Sequence, residues 1–172
     1  MFNFEVYTEG TVLTATSYIT VDELDLIINK DYLVNSISLL AETTENKENI
    51  LVNATRILDN LFEYEGHKQY YLQNLQFPRS FEDETELYII NDNVKIATAY
   101  IACELKNGTI STIINTSTKA QVQSEKADVL EKSYFENKIK ERNIFVNHPY
   151  LKTLLSGYIE GSGVSSIGIY RG

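Results

Sequence analysis

Apolar residues fall into five helical stripes, separated by stretches that break the 3.6-residue rhythm. The first is Val21, Leu24, Ile27 and Ile28. It follows Thr20-Val-Asp-Glu23, the spacing of a capping box, in which a threonine and a glutamate three residues later satisfy backbone amides reciprocally. A shorter stripe of Val34, Ile37, Leu40 and Ala41 predicts a second helix. The third is the clearest: Ile50, Ala54, Ile57, Leu58 and Leu61 recur between Glu45 and Phe62, and Gly66 lies beyond the end as a stop signal. The fourth runs from Asp92 through Val94, Ala97, Ile101 and Leu105 to Gly108, with Ala97, Ala99 and Ala102 small enough to admit a neighbouring helix. The last begins at Pro149, a residue suited to a first helical turn, and carries Leu151, Leu154, Leu155, Tyr158 and Ile159.

The interruptions differ in kind. FEVYTEGTVLTATSYI (Phe4–Ile19) is rich in β-branched and aromatic residues and reads as extended chain. The Thr-, Ser- and Ile-rich stretch 109–123 favours extended chain or loop. From Gln121 to Arg142 the composition suits a helix, whereas alternation at Gln121–Ser124 and Leu130–Tyr134 suits a hairpin turning near Ala127-Asp128; both readings stay open. The end, EGSGVSSIGIYRG (Glu160–Gly172), is a glycine- and serine-rich tail in which Val164, Ile167 and Ile169 are spaced to add as a strand to a partner. The hardest to explain is YYLQNLQFPRS (Tyr70–Ser80), an apolar loop ending near one of only two prolines. Such a loop must be covered, either by the chain's own helices or by another subunit.

Composition narrows the function classes. At 172 residues, 43% hydrophobic and 23% charged, the chain is one globular domain, or one with an appendage. No apolar run is long enough to cross a bilayer, and MFNFEVYTEG has no basic n-region to support a signal peptide. A single cysteine, Cys103, excludes an internal disulfide and fits a small core hydrophobe in a reducing compartment. Chemistry is sparse. His67 and His148 sit in separate loops without zinc-ligand spacing and read as surface or capping residues. Glu82, Asp83, Glu84 and Glu86 lack the pattern of a calcium loop and read as a solvated acidic face. GSG at Gly161–Gly163 follows a helix instead of preceding one, so it is no phosphate cradle. The expectation is therefore no enzyme, no cofactor and no metal. The formal charge of −9 opposes tight phosphate binding, and the twelve tyrosines suit interfaces.

The ordered set of segments resembles a family of tailed-phage head–tail connector, or adaptor, proteins, many members of which carry the label DnaT-like single-stranded-DNA-binding protein. The resemblance runs through EGT (Glu9–Thr11), SYIT (Ser17–Thr20), ATRILDNL (Ala54–Leu61), Gly66, LQFPRS (Leu75–Ser80), VKIATAYIACEL (Val94–Leu105), SEKADVLEKSY (Ser124–Tyr134) and PYLKTLLSGYI (Pro149–Ile159). The chain departs from it at Phe77, where tryptophan is common, and at Ala127-Asp128, where a glycine turn is frequent. The resemblance implies a mainly α fold: a small helical bundle with a β-hairpin and extended N- and C-terminal arms. It implies an adaptor domain over 1–159, with the hairpin near 119–135, and an extended tail over 160–172. It further implies a virion protein of the neck, assembled in the host cytoplasm. Copies would form a dodecameric ring under the portal protein, dock downstream tail or stopper proteins and pass double-stranded DNA through the lumen without specific binding, with no membrane involved. Partner-interface residues on that reading are Phe77, Pro78, Arg79, Val164, Ile167, Ile169, Tyr170 and Arg171. The alternative is a single-stranded-DNA-binding replication or primosomal-type protein. Tyr70, Tyr71 and Phe77 would then stack bases beside Lys68 and Arg79, against the acidic balance and the acidic run after Arg79.

Overall fold

The computed structural model describes residues 4–31, 37–80, 89–109 and 148–159. Over these the chain is mainly α, a small helical bundle with one two-stranded β-hairpin. Helix α1 spans Val21–Asp31, α2 Ile37–Leu40, α3 Thr44–Leu61, α4 Asp92–Lys106 and α5 Pro149–Leu155. Strand β1 (His67–Lys68) pairs antiparallel with β2 (Arg79–Ser80), His67 opposite Ser80. This hairpin closes the aromatic loop; the one expected near 119–135 lies outside the described residues. None of the described helices is long and apolar enough to cross a membrane.

The capping box forms as its spacing requires. Thr20 N donates to Glu23 Oε2 at 2.9 Å, and Glu23 N donates to Thr20 Oγ1 at 3.0 Å. Glu23 does a second job, because its Oε1 accepts from Lys95 Nζ on α4 at 2.7 Å. Burial alone would push this carboxyl up, but the bonds from Lys95 and Thr20 outweigh it and leave it below the usual range. Two further lysines tie helices together. Lys47 of α3, itself buried, holds Asp25 of α1 at 2.7 Å, and Lys106 at the end of α4 holds Glu42 ahead of α3. Thr43 and Asn91 cap α3 and α4 through their side chains, and Gly66 and Gly108 both take positive φ just past helix ends.

Helix α4 is the centre of the bundle, packed on α3, α5, α1 and α2. Val94, Ala97, Ala99, Ile101 and Ala102 are fully buried, so small residues on several sides of one helix let its neighbours close in. Leu151 and Leu155 of α5 and Leu24 and Ile28 of α1 complete the core.

Three expectations are corrected. Phe4–Ile19 is not a continuous extended segment. Thr11 Oγ1 donates to Val6 O at 2.7 Å and Ala15 N donates to Thr11 O at 2.8 Å, folding the chain into a turn and leaving one bridge between Val6 and Ser17. Threonine hydroxyls compete here with strand pairing. In α2, Leu39 is buried and Ile37 is 82% exposed, because a single turn is too short for periodicity to define its face. Val34 lies outside the described residues. Of the two readings of His148, surface or capping, the surface one is corrected: it is 5% exposed and occupies the N-cap position of α5, without a side-chain cap bond. Its Nδ1 lies 3.0 Å from the Tyr100 hydroxyl, and burial lowers its proton affinity.

Candidate functional site

The loop between β1 and β2 has an inner arm that plugs the bundle and an outer tip that faces solvent. Phe77, only 2% exposed, is the plug. Its ring meets Tyr18, Tyr64 and Tyr158 edge-on, at centroid distances of 5.9, 4.8 and 5.3 Å. These partners come from the segment before α1, the turn after α3 and the turn after α5, so one ring closes three parts of the fold. Leu75 and Pro78 are buried beside it, and the Phe77-Pro78 peptide is cis. The apolar loop is therefore covered by the chain's own elements.

Polar groups hold the plug from beneath. Asp59, on α3, accepts from the Tyr18 hydroxyl through Oδ1 and from Gln76 N at 3.2 Å through Oδ2. Tyr18 Oη accepts in turn from Phe77 N at 3.1 Å. Burial raises Asp59 to about 6 despite the bonds from Tyr18 and Gln76 and the charges of Lys68 and Arg79. Burial and the Asp59 charge likewise push the Tyr18 hydroxyl well above its ordinary value.

Arg79 is turned inward. Its Nε donates to Glu65 O at 2.6 Å, and its Nη2 donates to Tyr64 O at 2.9 Å and Gly66 O at 2.5 Å. Its Nη1 donates to Gln76 Oε1 at 3.0 Å, and the guanidinium lies 5.9 Å from the Tyr64 ring centroid. A planar fork that satisfies three backbone carbonyls organises the turn after α3. Neither Phe77 nor Arg79 therefore has a stacking face or a free fork to offer DNA.

The outer arm is organised by Gln73, a buried amide that sequence reasoning passed over. Its Oε1 accepts from Tyr70 N at 3.1 Å, and its Nε2 donates to Leu75 O at 2.9 Å and Pro78 O at 3.0 Å. Gln73 N donates to Tyr70 O at 3.1 Å, closing a four-residue turn with Tyr71 and Leu72 at its corners. Tyr71 is 96% exposed and Leu72 70%. Asn74 then binds the N-terminal turn, donating to Val12 O at 3.1 Å and Ala15 O at 2.7 Å. Lys68 Nζ reaches back to Gln73 O at 3.3 Å.

Of the residues singled out as partner contacts, Phe77, Pro78 and Arg79 are thus brought together around the plug. Val164, Ile167, Ile169, Tyr170 and Arg171 lie outside the described residues, as do Glu82, Asp83, Glu84 and Glu86. Cys103 is buried in α4, and burial, with Glu104 beside it, pushes its thiol up to about 12. No group of three or more His, Cys, Asp or Glu side chains among the described residues is placed to hold a metal ion.

The fold and loop define a small helical-bundle protein with a braced aromatic tip and, among the described residues, no catalytic metal cluster. A family model described as "Putative DnaT-like ssDNA binding protein" matches residues 2–172, and the chain belongs to that family. No curated protein matches the chain, and no solved structure does.

This membership overturns the connector reading. The portal, the dodecameric ring of copies, the tail or stopper proteins, the DNA-conducting lumen and the virion neck all rested on the connector resemblance. They fall with it. SYIT, ATRILDNL, VKIATAYIACEL and PYLKTLLSGYI are helix stripes and caps that any small bundle of this order would share, so they did not discriminate the two assignments.

Proposed function

We propose that the protein binds single-stranded DNA and acts by binding, without catalysis. The observation that carries this is the family match over residues 2–172. The chemistry of the described residues is in keeping with it: the thiol of Cys103 is buried and weakly acidic, and His148 is buried with its Nδ1 beside the Tyr100 hydroxyl, which burial pushes up to about 12. The cations of the described residues are largely occupied. Lys47, Lys95 and Lys106 are ion-paired, Lys68 is bound to a carbonyl, and Arg79 to three. In a chain of net charge −9, the described residues are thus better suited to base contacts than to phosphate neutralisation.

The test is fluorescence anisotropy of a labelled oligothymidine at low salt, with the same-length duplex as competitor. Saturable binding that the duplex fails to displace supports the proposal. Absence of binding at low salt, or equal affinity for the duplex, overturns it.

A further inference from the structure

We propose that the tip of the β1–β2 loop is the base-contacting site, with Tyr71 as the stacking residue, Leu72 as its apolar neighbour and Gln73 as the residue that positions both. This rests on the single-stranded-DNA reading above and assigns that activity a place in the fold.

Three observations carry it. The first is a broken local rule. Corner positions of tight turns are filled by Gly, Pro, Asn, Asp or Ser, because these residues fit the backbone and tolerate water. Here the corners are Tyr71 and Leu72, at 96% and 70% exposure, although the same loop buries Leu75 and Phe77 almost completely. Large apolar side chains held out at a turn contribute nothing to the chain's own core, and departures from local consistency mark functional positions.

The second is preorganisation. The turn is closed from Gln73 N to Tyr70 O, and the Gln73 side chain uses its acceptor and both donor directions on loop backbone at Tyr70, Leu75 and Pro78. A stacking residue presented on such a frame loses little freedom when a base lands on it. The brace to the N-terminal turn through Asn74 holds the frame at a second point.

The third is charge. Residues 66–81 contain no carboxylate, and neither do residues 10–21, the segment to which Asn74 ties the loop. Lys68 and Arg79 fall within the first of these stretches, in a chain that is otherwise strongly acidic. The flanking carboxylates in sequence are Glu63 and Glu65 before the first stretch, the run Glu82, Asp83, Glu84 and Glu86 directly after it, and Glu9 and Asp22 around the second, while Asp59 lies beneath the loop with its proton affinity raised. The tip therefore adds no carboxylate of its own to repel a polyanion. Lys68, held only on a carbonyl, supplies one phosphate contact there.

The experiment is a double-mutant cycle on oligothymidine affinity: wild type, Tyr71→Ala, Gln73→Ala and the double variant, with Tyr71→Phe as the conservative control. Tyr71→Ala is expected to weaken binding by roughly 5- to 150-fold, the loss of one stacked base. Tyr71→Phe keeps the ring and is expected to stay within about twofold of wild type. Because Tyr71 is solvent-exposed, its replacement leaves thermal unfolding unchanged, which the same preparations check. Gln73→Ala is expected to weaken binding alone but to add nothing in the Tyr71→Ala background, since it acts through the tip. The slope of log affinity against log salt is expected to be shallow, between about −0.7 and −1.5, as one or two phosphate contacts require.

The outcomes separate the two readings. If wild type fails to bind, the proposed function is wrong. If wild type binds and Tyr71→Ala binds equally well, the function stands and this site is overturned; a tip that docks a protein instead gives that result. Strict additivity of Tyr71→Ala and Gln73→Ala overturns the positioning role. A slope much steeper than −1.5 overturns the stacking-dominated mode.

Discussion

Asp59 offers a measurement in which the sign and the size both follow from the structure. Its carboxylate is largely buried between α3 and the loop, and its pKa rises from 3.8 to about 6. A rise of about 2 units corresponds to about 3 kcal/mol at 1.36 kcal/mol per unit, as the cost of keeping the buried group ionised. The folded state binds the proton more tightly than the unfolded chain does, so this group destabilises the fold above its folded pKa. The penalty is relieved as pH falls from about 6 towards 3.8. Between about pH 7 and pH 4.5 the relief amounts to about 2 kcal/mol, because at the lower pH the unfolded chain is still mostly ionised. Asn at this position cannot titrate. Urea unfolding of wild type and Asp59→Asn at the two pH values should therefore show the variant gaining about 2 kcal/mol relative to wild type at the higher pH. The constant cost of facing an amide donor towards Gln76 N cancels in that comparison. So do Glu23 and Glu42, whose lowered pKa values stabilise the fold above the unfolded carboxylate range and lose that effect as pH falls. A stability difference that does not change with pH, or changes with the opposite sign, refutes the assignment of a buried charge whose partners only partly offset its desolvation.

Phe77→Ala should cost about 3–5 kcal/mol in denaturant unfolding, as for other fully buried rings, and a cost below about 1 kcal/mol would remove Phe77 from the core. Arg79→Lys should cost about 2 kcal/mol, because an ammonium cannot span the carbonyls of Tyr64, Glu65 and Gly66 as the planar fork does; an unchanged denaturation midpoint would contradict that role. Cys103 should resist alkylation at neutral pH in the native state and react on unfolding, since its thiol is buried and raised to about 12; fast native labelling would place it elsewhere.

Much of the scaffold was legible because its signals are local. The Thr20–Glu23 box predicted two reciprocal bonds, and Asp92 and Gly108 bracketed α4 to within two residues. The apolar stripe of α3 was found, yet Leu51, Val52 and Thr55 are buried as well. A stripe marks one buried face, and α3 is covered by both α1 and α4. The site was less legible. Tyr71, Leu72, Leu75 and Phe77 are alike in type, and only closure of the turn by Gln73 decides which of them point inward. Arg79 looked like an interface cation because sequence shows a guanidinium but not the three carbonyls waiting for it. Gln73 drew no notice, although a lone amide inside an apolar loop is the kind of residue that supplies internal bonds to a loop that must fold on itself.

On the proposed single-stranded-DNA reading, an acidic protein must keep its charge and its ligand apart, and the helix ties contribute to that separation. Lys47, Lys95 and Lys106 are spent on Asp25, Glu23 and Glu42, which neutralises three partly exposed carboxylates along the helix seams. The loop end carries none of that acidity in its own sequence and presents an aromatic ring instead. Stacking is indifferent to base identity and weakly dependent on salt, whereas phosphate contacts are strongly dependent on it. A protein built this way would release duplex DNA, whose bases offer no open face, and retain strands whose bases are unpaired. Selectivity for single strands then arises from the repulsion of the acidic body and the attraction of the tip acting together, so neutralising surface carboxylates should raise duplex binding more than single-strand binding.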